Sequence, residues 1–218
     1  MMANEKQMGA ELAHDIRDTL NTITPIAHKV RKLLPASEAG VLADKLLDAV
    51  RRATEIAAKV QRQGDPDDEP GLVDQEPVAF DEMDDEESAA ILEKATILLV
   101  DDEPVGAEIW TDMLRDELDL KVESFTNSVE AYNAFQRDPE KYDIIITDFL
   151  MPEMDGVELT REIRKIKKRI PVIAITGMDD HGWQKRGQEA GVNHVVRKPF
   201  DPMMFIDFIR RVIVSTVR

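Results

Sequence analysis

Residues 96–104, TILLVDDEP, decide the fold. TILLV is an apolar run too short for a helix and without alternation, as expected of a strand buried on both faces. Two carboxylates, Asp101 and Asp102, follow directly at its end. Working outward, EIWTDMLRDEL (108–118) reads as a helix and KVESF (121–125) as a strand. The same alternation continues through SVEAYNAFQRD (128–138), YDIIITDF (142–149), GVELTREIRKIKK (156–168) and PVIAITG (171–177). HGWQKRGQEA (181–190), HVVRKP (194–199) and DPMMFIDFIRRVIVSTV (201–217) complete it. Five strands, each followed by a helix, predict an α/β doubly wound, five-stranded parallel sheet over residues 95–218.

In such a sheet, ligands bind beyond the carboxyl ends of the strands. Asp101 and Asp102 end the first strand, Asp148 follows IIIT, Thr176 follows VIAI and Lys198 follows HVVR. Three carboxylates, a hydroxyl and an ammonium are thereby expected on one rim. Crowded carboxylates repel one another and are costly to desolvate, so they call for a cation. Hard oxygen donors with room for water suit Mg²⁺. A carboxylate nucleophile beside a divalent cation, a lysine and a hydroxyl is equipped for phosphoryl transfer.

The segments ILLVDDEP, DIIITDFLMPEMDG, AITG and VRKPF stand in the order and spacing of the response-regulator receiver domain of two-component signalling, and residues 95–218 resemble that family. The resemblance implies a flavodoxin-like fold with Asp148 as phosphoacceptor. It implies Mg²⁺ held by Asp148, by Asp102 directly, by Asp101 through water and by the carbonyl of Leu150. Lys198 would pair with the phosphoryl group, and Thr176 would be the switch hydroxyl. Met151-Pro152 and Asp155-Gly156 would form the loop and turn after the acceptor. The implied partners are a histidine kinase or other phosphorelay proteins. One position departs: Val195 stands where the family commonly has an aromatic ring that moves with the hydroxyl.

The N-terminal third has a different period. Leu12, Ile16, Leu20, Ile23, Ala27, Val30 and Leu34 recur every three or four residues. PASEAG (35–40) breaks the pattern, and Leu42, Leu46, Val50, Ala53, Ala57 and Val60 resume it. This predicts an α-helical hairpin with arms of about 25 residues, roughly 40 Å at 1.5 Å per residue. Two helices cover too little of each other's stripe, so a homodimeric four-helix bundle is expected. Pro25 should kink the first arm.

Within that arm, His14 lies beside Asp15, with Glu11 and Asp18 three before and four after it. Nearby carboxylates orient an imidazole and raise its basicity. ELAHDIRDTLNTI with the second helix resembles the dimerisation and histidine-phosphotransfer hairpin of histidine kinases, over residues 8–63. The resemblance implies His14 as a phosphoacceptor and Asp15 as its orienting acid. Asp18 departs from the Thr or Asn usual four residues after the histidine, and Thr19 from the proline usual at five. No glycine pair has the spacing of that family's ATP-binding loops, and no GxxxxGK is present. The chain is therefore not expected to act as an ATP-dependent kinase on its own, and His14 would draw its phosphate from elsewhere.

Charge divides the chain in three. Residues 1–63 hold 10 basic and 8 acidic residues, residues 64–94 hold 1 and 13, and residues 95–218 hold 17 and 23. The middle stretch, rich in Pro and Gly, reads as an extended acidic linker, with a short helix near 86–94. The acidic total argues against sequence-independent nucleic-acid binding. With no cysteine, disulfide and thiol chemistry are excluded. Neither a signal peptide nor an 18-residue apolar span is found, so the expected location is cytoplasmic, away from the membrane. Two readings stay open: a phosphorelay protein using both His14 and Asp148, and a receiver whose hairpin is only a dimerising or partner-binding output.

Overall fold

The computed structural model describes residues 38–61, 72–73, 85–177, 181–198 and 200–216, with single positions at 19, 23–24, 26–27 and 30–31. The β-α alternation appears at nearly the expected bounds. The strands are β2 (Thr96–Val100), β3 (Lys121–Phe125), β4 (Ile144–Asp148), β5 (Val172–Thr176) and β6 (His194–Arg197). The helices are α3 (Pro104–Leu118), α4 (Ser128–Arg137), α5 (Gly156–Ile166), α6 (His181–Ala190) and α7 (Pro202–Thr216). These five strands pair in parallel.

The sheet holds one strand more than the sequence pattern predicts. Leu72–Val73 in the acidic stretch form β1, which pairs antiparallel with β6, giving the order β1-β6-β5-β4-β2-β3. Two residues within the stretch read as a linker are thus bound to the sheet. The physical reason is the bare backbone of β6, which otherwise ends the sheet with unpaired N–H and C=O groups. Upstream lies α1 (Glu38–Gln61), and downstream α2 (Asp85–Lys94) packs on α7.

Alternation within each strand sends side chains to two cores. Ile97, Leu99, Ile144, Ile146, Ile173, Ile175 and Val196 face Trp110, Leu114, Phe205, Ile209 and Ile213 of α3 and α7. Leu98, Val100, Ile145, Val172 and Ala174 face Phe135, Leu159, Ile163 and Val192 on the other side. Each fully buried Ile or Leu contributes about 1.5–3 kcal/mol. Because helices cover both faces, the inner strands β2, β4 and β5 carry continuous buried runs without polar alternation, which is what made TILLV legible.

The helix starts are fixed locally. Asn127 accepts from the backbone N–H groups of Val129 and Glu130. Asp155 and Glu158 form a reciprocal capping box at the start of α5.

In the N-terminal region, α1 begins at Glu38, inside the PASEAG stretch, and takes in Gly40. Among its described side chains Ala43 and Val50 are buried, at 4% and 7% exposure; Val50 belongs to the expected stripe, whereas Leu42 and Leu46 of that stripe are exposed at 63% and 41%. Thr19, Ile23, Thr24, Ile26, Ala27, Val30 and Arg31 are helical, and Arg31 Nε meets Asp44 Oδ1 at 2.6 Å. His14 and Asp15 lie outside the described residues. Among the described residues, no helix is long and apolar enough to cross a membrane.

Candidate functional site

β2 pairs with β3 on one side and β4 on the other, so the chain reverses direction across the sheet at β2. The carboxyl ends of β2 and β4 therefore open the crevice where doubly wound sheets bind ligands. Asp101 and Asp102 leave β2 there, and Asp148 ends β4.

Lys198 enters from the end of β6. Its Nζ donates to Asp148 Oδ2 at 2.9 Å, with both side chains 15% exposed. The other oxygen, Oδ1, accepts from Leu150 N at 3.1 Å. Lys198 is held from its backbone as well, its N–H donating to the Thr176 carbonyl at 2.7 Å. Thr176 is itself buried at the end of β5.

Asp101 is 6% exposed, and its Oδ1 accepts from Glu103 N at 2.9 Å. Burial pushes its carboxyl up to about 6; nearby Lys198 opposes the rise, and Asp148 and Asp102 add to it. Asp102 is also raised, by desolvation and then by Asp148. The rim thus gathers three acids of one sign around a single close ammonium. Among the described residues no three acidic or imidazole groups form a ready metal cage. The donor set nevertheless fits a hard divalent cation: a desolvated carboxyl and its like-charged neighbours gain most from an added positive charge.

The loop after Asp148 is shaped by backbone. Phe149 N donates to Ile175 O at 2.8 Å and Gly156 N to Phe149 O at 3.0 Å. A Cβ on Gly156 would lie 2.3 Å from the Asp148 carbonyl, so only glycine fits. Glu153 takes a left-handed φ of 66° in the same loop. Asp155 closes it with an ion pair to Arg186 of α6 at 3.2 Å.

The structure therefore brings together Asp101, Asp102, Asp148, Thr176 and Lys198 from four strand ends, with Leu150 beside them. Sequence reasoning missed two supports. Gly106 approaches Asp101, where a Cβ would meet Oδ2 at 3.3 Å. Arg164 donates to the carbonyls of Gly191 and Ile170 and to Asn193 Oδ1, fastening the turn that leads into β6. A glycine early in a helix was a readable signal for the first; a single arginine gave none for the second.

This fold and rim define a doubly wound α/β domain with an acidic crevice at the carboxyl ends of its strands. Residues 97–210 match the response regulator receiver domain, and the chain belongs to that family, a component of two-component signalling. It is 33% identical over 117 residues to the uncharacterized transcriptional regulatory protein YclJ of Bacillus subtilis, covering 54% of this chain and 50% of that protein. It is 32% identical over 112 residues to the response regulator Rre1 of Synechocystis, covering 50% and 48%. The chain spans about half the length of these curated relatives. Among solved structures, the chemotaxis protein CheY4 of Vibrio cholerae superposes with a TM-score of 0.50 at 28% identity, covering 54% of this chain and 98% of that one. Receiver domains of this kind typically bind Mg²⁺ in the phosphorylation site.

Proposed function

We propose that this chain receives a phosphoryl group on Asp148 and passes the change to its N-terminal helices. The observation that carries the reading is the 2.9 Å contact of Lys198 Nζ with Asp148 Oδ2, made beside the crowded acids Asp101 and Asp102. An Asp148 oxygen attacks phosphorus, a P–O bond forms, and the donor's bond to phosphorus breaks. The leaving acetate or imidazole keeps that bond's electron pair, and the imidazole takes up a proton. Lys198 balances charge on the phosphoryl oxygens, and the Thr176 hydroxyl turns to one of them. Asp101, Asp102, Asp148 and the Leu150 carbonyl would hold Mg²⁺. When bound, it neutralises the oxygens of the transferring group.

The N-terminal helices are read as a homodimeric hairpin. Support comes from Leu42 and Leu46, exposed at 63% and 41% on one line with exposed Ala49. The use of His14 as a second phosphoacceptor, oriented by Asp15, rests on the sequence resemblance alone, and the same experiment addresses it. The upstream partner is a histidine kinase or another phosphorelay protein.

Phosphorus NMR of the full chain with Mg²⁺ and acetyl phosphate tests the reading, with a phosphorylated receiver as a second donor. Wild type should give an acyl phosphate that hydroxylamine removes, and Asp148→Ala should give none. An unchanged spectrum in Asp148→Ala would refute the assignment. A phosphoimidazole signal lost only in His14→Ala establishes the relay; its absence with both donors leaves the hairpin as output alone.

A further inference from the structure

Two pieces of the acidic stretch seat on the receiver, and both lie on the elements flanking Lys198. β1 pairs with β6, Leu72 opposite Val196 and Val73 opposite Val195. Helix α2 lies on α7, where Leu92 is buried and Ile91 half-buried with Phe205, Ile209, Val212 and Ile213. Lys198 follows directly on β6, and α7 begins four residues after it.

The register makes the connection short. Leu72, Val196 and Ile175 form one row across the sheet, and the next row is Arg197 beside Thr176. Lys198 then bonds to Thr176 through its backbone and to Asp148 through its ammonium. A shift of Lys198 and Thr176 therefore reaches the backbone that holds Leu72 within two residues. Val195, opposite Val73, is half-buried and aliphatic, so no rotating ring at this position carries the signal.

The two contacts differ in strength. α2 is anchored by apolar burial. β1 pairs two residues, and the few hydrogen bonds such a pair makes are close to balance with the entropy of ordering it. A near-balanced element is the one a modest bias can switch. Residues 64–94 also carry net −12, so added negative charge at the rim and self-repulsion both favour release.

We propose that residues 72–73 are a detachable edge strand, held on β6 while Lys198 binds the Asp148 carboxylate and released when a phosphoryl group draws Lys198 and Thr176 to itself. Release uncovers the β6 edge and frees the segment that leads back to α1, which carries the signal toward the N-terminal helices. This rests on the reading of Asp148 as phosphoacceptor.

Hydrogen exchange of the full chain with Mg²⁺ and beryllofluoride, a phosphoryl mimic, tests it. Fluorine NMR of the same samples reports whether the site is loaded. With the site loaded, amides of 72–73 and 194–197 should exchange about tenfold faster while those of 88–94 hold. Unchanged or slower exchange at 72–73 in loaded protein overturns the edge strand and leaves the Asp148 reading standing. No loading in wild type sinks both. Replacing Leu72 and Val73 together by proline should speed exchange at 194–197 without any ligand, and beryllofluoride should add nothing further. Persistent protection there in that variant would overturn the proposal independently.

Discussion

Lys198 Nζ and Asp148 Oδ2 stand 2.9 Å apart at a site where each side chain is 15% exposed, so neither charge is well solvated without the other. Removing one partner strands the other. Lys198→Met is expected to destabilise the fold by about 2–3 kcal/mol, because a desolvated carboxylate loses its counter-charge. Asp148→Asn added to that variant should recover most of the loss. A double-mutant cycle by urea denaturation measures it, and equal additive losses would show the pair to be uncoupled.

Gly156 has the least room of the glycines near the site. A Cβ would lie 2.3 Å from the Asp148 carbonyl and 3.2 Å from Phe149 Cα, and backbone cannot yield as a side chain can. Gly156→Ala should cost about 3 kcal/mol, a fall in Tm of roughly 6–12 °C for a chain of this size. Gly187→Ala, whose Cβ meets the ring edge of Phe149 at 3.0 Å, should cost visibly less. Calorimetry ranks the two, and the reverse order would contradict the geometry.

Thr111, buried in α3, has a hydroxyl without a hydrogen-bond partner. An unmet buried hydroxyl is a standing cost, so Thr111→Val should stabilise by about 1 kcal/mol. A loss of stability on urea denaturation would mean that the hydroxyl is satisfied in solution.

The receiver fold was legible because its strands are buried on both faces. TILLV and PVIAITG had no alternative reading, and the five polar residues at strand ends fall on the rim by topology alone. The edge strand was not legible: Leu72 and Val73 have no period, and what recruits them is the open side of β6, a property of distant residues. The line of packing on α1 was legible only in part: Val50 of the expected stripe is buried, but Leu42 and Leu46 are exposed and the smaller Ala43, outside that stripe, is buried instead. Small residues allow close helix approach, and hydrophobicity alone does not signal it.

Asp101 gives the fold a pH dependence of unusual sign. Its carboxyl is raised from 3.8 to about 6, chiefly by burial. Between about pH 4 and 6 the native state keeps a proton that the unfolded chain has lost, so this group's contribution falls as pH rises and levels off above 6. The full effect is on the order of 3 kcal/mol at about 1.4 kcal/mol per pKa unit. Melting of chelated wild type minus Asp101→Asn, from pH 4.5 to 7.5, isolates it. Magnesium, whose positive charge would favour the ionised carboxyl, should flatten the decline. A difference that grows with pH in chelated protein would reverse the argument.

Leu42 and Leu46, with Val41 and Ile26 exposed at 52% and 46%, place large apolar side chains in water on the N-terminal helices. Stripes of this kind mark interfaces, and in the proposed homodimer a second copy of α1 would offer the matching one. Replacing both leucines by aspartate puts like charges face to face across a two-fold contact, so the dimer should weaken by at least about 100-fold. Light scattering should then report a monomer, while Asp148 phosphorylation by acetyl phosphate proceeds as before. A wild-type monomer, or a variant that still dimerises, would remove the bundle, and the released linker would need another target.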